Sequence, residues 1–440
     1  MLSLVGLLLG LVLLVYFTMR GVELLIAAPL CALLVAATSG FPVFPQGVAE
    51  GAPNFTTAYM DGFVSFVKTW FFMFLLGSVF GKVMEASGAA DSVAKWIVST
   101  LGAKHAVGAV VMACAVLTYG GVSLFVVAFS VYPMALSLFR TANVPRRFIP
   151  ASLAFGSVTF TMTSAGSPEI QNWIPTKYLG TTPYAAWEVS LVVGLFMAGF
   201  GYMWLMRMVR RASSAGEQFE TNPADPVVED RELPAVWRGV VPLLAVLVAS
   251  FLLHDSLKES ALIMALGSGI VSGLLLNARY FRRAQLADVA SAGALGALIA
   301  IANTAAVVGF GGVAKLTSGF QSAVDVMTHL PGQPLIGAAV AVSVIAGLTG
   351  SASGGQTIAL PLLAQHYLAM GVNADALHRV VTISSGALDT LPHNGYVVTT
   401  IRSICREPYS GAYPAFAALT VIVPALGTSL AILLFSVFSR

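Results

Sequence analysis

Apolar residues run along this chain in long blocks separated by short polar or glycine-rich breaks, without the strict alternation of strands or the narrow stripe of a soluble amphipathic helix. The blocks fall at about 2 to 19, 22 to 39, 59 to 80, 104 to 118, 122 to 139, 149 to 178, 184 to 206, 238 to 253, 258 to 277, 288 to 310, 334 to 348, 356 to 370, 378 to 403 and 411 to 437. As helices, those near 20 residues match the ~30 Å hydrocarbon core of a bilayer. Two pairs are too short or too interrupted for that. Residues 104 to 118 and 122 to 139 are parted only by Tyr119-Gly120-Gly121, and 334 to 348 and 356 to 370 flank the small, polar run Thr349 to Gly355. The first arm would be roughly 22 Å long, so a re-entrant hairpin fits as well as two spans.

The similarity of the two pairs extends along the chain. Leu117-Thr118 recurs as Leu348-Thr349 and Ser87-Gly88 as Ser318-Gly319, 231 positions on, while Asn143 and Gly156 recur as Asn373 and Gly386, 230 positions on. One offset of about half the length suggests an internal duplication. With the pairs taken as hairpins, ten spans remain and the basic residues sort by side. Seventeen fall on the side read as cytoplasmic against five outside (Lys177, Lys258, Lys315, Arg379, Arg440), as the positive-inside rule requires. Lys68 lies within a span and is read as snorkelling to the interface.

Five spans per half would turn the second repeat upside down. The expected fold is thus an all-α polytopic membrane protein of two inverted repeats, each with five spans, a re-entrant hairpin and a broken helix. The first repeat covers 1–206, a cytoplasmic linker 207–237, and the second repeat 238–440. The linker carries Arg207, Arg210 and Arg211, then six acids with prolines, and reads as a mobile connection with no role in the chemistry. Segments 82 to 101 and 312 to 330 mix charges with apolar residues and are expected as interfacial arms.

Composition agrees. The 440 residues are 57% hydrophobic and only 10% charged, against about a quarter charged in a soluble domain, which excludes a soluble enzyme. A net charge of +3 is too small to suggest a nucleic-acid partner. Cys31, Cys114 and Cys405 lack metal-ligand spacing and are expected as free thiols. The start is apolar without a basic leader, so no removable signal peptide is expected and residues 2 to 19 read as the first span. No phosphate loop, zinc spacing or nucleophile motif stands out, so no catalytic residue, metal or cofactor is expected. His105, His254, His329, His366 and His378 read as loop or interfacial residues.

Chemistry is expected where each half carries a broken span: Thr159-Phe-Thr-Met-Thr-Ser-Ala-Gly-Ser-Pro-Glu-Ile-Gln-Asn172 and Ser384-Ser-Gly-Ala-Leu-Asp-Thr-Leu-Pro-His-Asn-Gly395. Proline removes a donor and glycine frees the backbone, so neither stays regularly helical. Half-helix N-termini gathered near the midplane could hold a carboxylate without a buried lysine or arginine. The plainer alternative is helix kinks filled by small residues for close packing. Glu169, Asp389 and His393 are the ionisable groups placed deep here, candidates for proton uptake or, with neighbouring oxygens, for sodium. Glu169 and Asp389 could instead cap half-helices.

Several segments resemble one family. Gly120-Gly-Val-Ser-Leu-Phe-Val-Val-Ala-Phe129, Tyr132-Pro-Met-Ala-Leu136, Asn143-Val-Pro-Arg-Arg-Phe-Ile-Pro-Ala151 and Ala165-Gly-Ser-Pro-Glu-Ile-Gln-Asn172, with the later Leu348-Thr-Gly-Ser-Ala-Ser-Gly-Gly355 and Asp389-Thr-Leu-Pro-His-Asn-Gly395, resemble the GntP (gluconate permease) family of bacterial carboxylate symporters over most of the chain. The resemblance implies proton-coupled uptake of a small hydroxycarboxylate across the inner membrane, kinship with the ion-transporter superfamily, an elevator motion and a homodimer. The gluconate branch carries a His-Pro-rich Pro-Gly-Pro segment where this chain has Ala165 to Asn172, so 3-hydroxybutyrate joins gluconate as an implied substrate. By position, the hairpin tips map to Gly120, Gly121 and Ser123 and to Thr349, Ser351, Ser353, Gly354 and Gly355. In the broken spans the implied contacts are Thr163, Ser164, Gly166, Ser167, Gln171, Asn172, Thr390 and Asn394. Sodium coupling and an anion channel are the alternative functions.

Overall fold

A computed structural model describes residues 2–20, 22–46, 52–222, 225, 232–258, 260–281, 283–322, 333–392 and 394–438. Among the described residues there is no strand. The first half runs α1 (Leu2–Met19), α2 (Leu24–Thr38), α3 (Phe55–Ala86), α4 (Ala89–Leu101), α5 (Ala106–Tyr119), α6 (Leu124–Thr141) and α7 (Ile149–Ala154), which widens into a π-helical turn, Phe155–Thr159. After an irregular stretch come a 3-10 turn (Ile170–Asn172), α8 (Ile174–Leu179) and α9 (Trp187–Ser214). The second half repeats this order: α10 (Val236–Leu257), α11 (Ser260–Leu276), α12 (Arg283–Ala314), α13 (helical residues 318–322), α14 (Pro334–Thr349), α15 (Ala352–Ala369) and α16 (Ala374–Ser385). An irregular stretch then leads to α17 (Gly395–Val398) with a π-helical turn (Thr399–Ile404), α18 (Tyr409–Ala417), a second π-helical turn (Ala418–Ile422) and α19 (Val423–Phe438).

Each half thus holds two paired helices, one long helix, an arm, a helical hairpin, a broken span and a closing helix. Among the described residues, Phe55–Ala86, Leu124–Thr141, Trp187–Ser214, Val236–Leu257, Leu286–Ala314 and Tyr409–Val437 are long and apolar enough to cross a membrane. At 32 residues, α3 and α12 are each about 48 Å long and must tilt or project beyond the core. They meet where glycines remove the side chain. A Cβ on Gly62 would lie 2.6 Å from the Val308 carbonyl oxygen and one on Gly312 2.4 Å from that of Ala58. Tyr59 donates to Ala306 O at 3.0 Å in the same seam.

The halves are interlocked. Helix α2 packs on α12 and α11 on α3. Arm α4 packs on α10, where Gly239 admits the Ala89 carbonyl, and α13 packs on α1, where Gly319 admits the Leu4 amide. The arms begin later than the sequence suggests, because residues 82–86 and 312–314 complete α3 and α12; residues 323–330 lie outside the described residues.

The first hairpin closes against the second half. Its tip rests on α10, with Gly120 against Leu243 and Gly121 against Val246. Those residues lie about 11–15 Å along a helix about 33 Å long, so the tip packs beside the middle of α10.

The linker differs from the expected mobile connection. Residues 207–214 are the last two turns of α9, and Glu217, Phe219 and Asp225 beyond it are held in place. Arg147 grips both Glu217 oxygens at 2.7 and 2.9 Å, the Phe219 amide donates to Asn143 Oδ1, and Arg140 stacks on the Phe219 ring. Arg146, nearly buried, donates to both Asp225 oxygens, to Glu407, to the Tyr132 hydroxyl and to Cys405 O. Sequence patterning counts such charges as solvated loop residues; burial of Arg146 forces them together. Cys31, Cys114 and Cys405 are buried and free.

Candidate functional site

The first broken span unwinds because its own hydroxyls replace the helical amides. Thr161 Oγ1 donates to the carbonyls of Gly156 and Ser157, and Ser164 Oγ to that of Phe160, which competes with helix continuation. Gly166 then takes φ +78°, a left-handed geometry that glycine adopts without strain. The loop is tied from outside: Tyr119, just before the first hairpin tip, donates to Ala165 O at 2.7 Å, and the Ala165 amide donates to Ser190 Oγ at 2.8 Å. Asn172 Nδ2 closes it by donating to Ser167 O and Pro183 O.

The second broken span is held in the same manner. Thr390 Oγ1 donates to Thr420 O, Tyr413 and Tyr409 donate to the carbonyls of Thr390 and Pro392, and Asn394 Nδ2 bridges Asp389 O and Gly350 O at 2.9 and 2.8 Å. That bridge ties the broken span to the second hairpin tip, where Gly350 takes φ +59° and Ser351 caps α15 by accepting from the Gly354 amide. Gly355 lets the two arms touch, since its Cβ would lie 2.6 Å from Ala346 Cα.

Four elements predicted to meet do so. Gly121 abuts Pro168, tip to broken span, in the first half; Gly350 meets Asn394 in the second; and the two broken spans face each other where a Cβ on Gly386 would lie 3.4 Å from Thr163 Cγ2. Each hairpin also reaches into the other half of the chain. Helix α6 packs on the π-helical turn after α17, with Phe125 edge-on to Tyr396, and α15 packs on α8 and its preceding 3-10 turn.

The largest surprise is Arg379, which charge patterning placed outside the membrane. It is fully buried on α16. Its five N–H groups are all used: Nε and Nη2 on Ala185 O (3.0 and 2.8 Å), Nη2 on Pro183 O (3.2 Å), and Nη1 on Thr163 O (2.9 Å) and Asn172 Oδ1 (3.0 Å). A guanidinium with all five N–H groups bonded has no donor left for an anionic solute. Arg379 is a strut by which the second half shapes the first half's broken span. Its neighbour His378, expected as a loop residue, is likewise fully buried, with Nδ1 2.6 Å from Thr181 Oγ1.

The remaining candidates divide by what their polar atoms already do. Thr349, Ser164, Asn172, Thr390 and Asn394 are engaged by backbone or by other side chains. Ser351 and Ser353 face each other at 3.3 Å, and Ser167 Oγ accepts weakly from the Glu169 amide at 3.4 Å. Ser123 precedes α6 without its side chain capping it, leaving the first amides of an 18-residue helix without a side-chain partner. Asp389 Oδ1 and Gln171 Oε1 are buried with no hydrogen-bond partner. Glu169 makes no ion pair among the described residues, and His393 lies outside them. Gln356, missed from sequence, donates to Ser385 Oγ while its Oε1 is unpartnered. The signal for it was a polar amide directly after Gly354-Gly355, in an arm otherwise apolar. Among the described residues no group of His, Cys, Asp and Glu could hold a metal ion.

An uncapped helix start could receive an anion, and the unpartnered Asp389 oxygen a cation. No protein-family profile matches the sequence. It is 35% identical to a Bacillus subtilis protein described as the uncharacterized transporter YxjC, covering 96% of each chain. It is 23% identical to an uncharacterized transporter of Haemophilus influenzae, covering 79% of this chain and 81% of that one. Two solved structures share the fold. MtrF of Neisseria gonorrhoeae, described with a class of antimetabolite efflux pumps, has a TM-score of 0.53 at 12% identity over 94% of both chains. The Alcanivorax borkumensis YdaH transporter has a TM-score of 0.55 at 13% identity over 98% of this chain and 99% of its own.

Proposed function

The chain belongs to the membrane transporter family that includes YxjC of Bacillus subtilis, and we propose that it is a secondary active transporter importing a small hydroxycarboxylate together with protons. The observation that carries this reading is the contact of the two broken spans at Thr163 and Gly386, each broken span also touching its own half's hairpin tip, with the Asp389 oxygen unpartnered near Gly386 in sequence. In this reading the uncapped start of α6 and the Ser123 hydroxyl receive the solute carboxylate, because aligned amides favour negative charge. Asp389 and Glu169 take up the co-transported cation, since an intramembrane acid with no fixed partner is a natural carrier of one.

The resemblance to the GntP family supports gluconate or 3-hydroxybutyrate as the solute, and a site in the bacterial inner membrane. The same resemblance supports a homodimer in which the hairpins and broken spans slide as an elevator against a scaffold centred on the α3–α12 seam. Residues 1–206 and 238–440 are then inverted repeats joined by 207–237.

Labelled 3-hydroxybutyrate and gluconate offered to proteoliposomes, under an imposed proton gradient in one set and a sodium gradient in the other, test the proposal. Accumulation of either acid driven by the proton gradient supports it; accumulation driven only by sodium assigns the other cation. Passive equilibration insensitive to both gradients points to a channel and refutes secondary transport.

A further inference from the structure

A basic groove lies far from the broken spans, between the start of α5 and the end of α9. It consists of an inner cavity of about 310 Å³ and an outer one of about 1040 Å³, which share Lys104, His105, Tyr202 and Met206. Gly108 lets the two helices close on each other, with the Tyr202 hydroxyl 2.9 Å from where its Cβ would be. The outer part is walled by Arg207, Arg210 and Arg211 and the inner part by apolar residues including Val107, Val144 and Val209. Among the described residues no acid lines either cavity. Two of the linker acids are already paired, Glu217 with Arg147 and Asp225 with Arg146.

Arg207, Arg210 and Arg211 cluster on the last two turns of a helix whose earlier surface is apolar and exposed, Leu195 at 65% and Met203 at 66%. The groove therefore opens where that spanning helix leaves the hydrocarbon core, with charge at its mouth and apolar walls within. A free anion would use only the mouth. We propose that the groove binds an anionic glycerophospholipid, its phosphodiester among Lys104 and the three arginines and an acyl chain along Tyr202, Met203 and Met206. Because one wall is the base of the first hairpin and the other is α9, the lipid bridges the hairpin to a neighbouring span. The inference depends on the chain spanning a bilayer and not on which solute it carries.

The test titrates palmitoyl-oleoyl phosphatidylglycerol into the purified full-length protein in detergent, reading bound lipid by native mass spectrometry and Tm by thermal melting. Phosphatidylcholine and inorganic phosphate are parallel arms. Phosphatidylglycerol is expected to give a retained adduct and a raised Tm, with neither effect from the other two. Combined Arg207→Gln, Arg210→Gln and Arg211→Gln should weaken retention about tenfold or more, Lys104→Gln less so, and Arg279→Gln, a basic residue elsewhere on the surface, not at all. Equal retention of phosphatidylcholine, a Tm rise from phosphate alone, or full retention in both the triple and the Lys104 variants would overturn the proposal.

Discussion

Arg379 shows how much of this site is set by single side chains. Lysine in its place has three donors for four acceptor oxygens, so at least one oxygen among Thr163, Asn172, Pro183 and Ala185 would lose its partner. At about 1–3 kcal/mol for each buried group left unpaired, Arg379→Lys is expected to lower the melting temperature in detergent and to abolish uptake. An unchanged melting curve would show that the strut is dispensable. Asp389→Asn keeps the shape and removes the titratable oxygen. It should retain exchange of labelled for unlabelled solute across proteoliposomes while losing accumulation driven by a gradient; retained accumulation would remove Asp389 from the coupling role. Asp389 stands out in sequence because a lone acid in a broken apolar run is costly without a task. Arg379 and His378 are misplaced in sequence because counting charges by side assigns a sign to each end of a span and is blind to a side chain that turns back into the protein.

Among the elements, the broken spans were legible because proline, glycine and clustered hydroxyls each oppose helix for a physical reason, and the irregular stretches fall where those residues do. The π-helical turns at Phe155–Thr159, Thr399–Ile404 and Ala418–Ile422 were not, since a widened turn leaves no periodic signature in apolar residues. The first of them depends on Gly156, whose Cβ would lie 2.3 Å from the Val111 carbonyl oxygen. Gly156→Ala must push α5 away from the turn and is expected to cost about 1–3 kcal/mol, read as a lower melting temperature. The linker was misread for a different reason: its acids look solvated until Arg146 and Arg147 are seen beside them. Arg146→Ala leaves Asp225 and Glu407 without their cation, a loss of about 3–5 kcal/mol for a buried pair. Limited proteolysis should then cut residues 217–225 several-fold faster than in the wild type, and an unaltered cleavage rate would mean that the clamp does not hold the linker.

At the scale of the whole molecule, the halves are an exchange of parts. Each half's second helix packs on the other's long helix, each arm on the other's first helix, and each hairpin on the far side of the other's broken span. A site between the broken spans would therefore draw on both halves, the arrangement that the spacing of small motifs at half the chain length led us to expect. The most direct test measures equilibrium binding of labelled 3-hydroxybutyrate and gluconate to purified protein carrying one bulky substitution at a time, Ser123→Leu in the first half or Gly386→Leu in the second. One site built jointly predicts that either change removes binding of whichever acid the wild type holds, while both proteins still melt cooperatively. Undiminished binding in either correctly folded variant would contradict it.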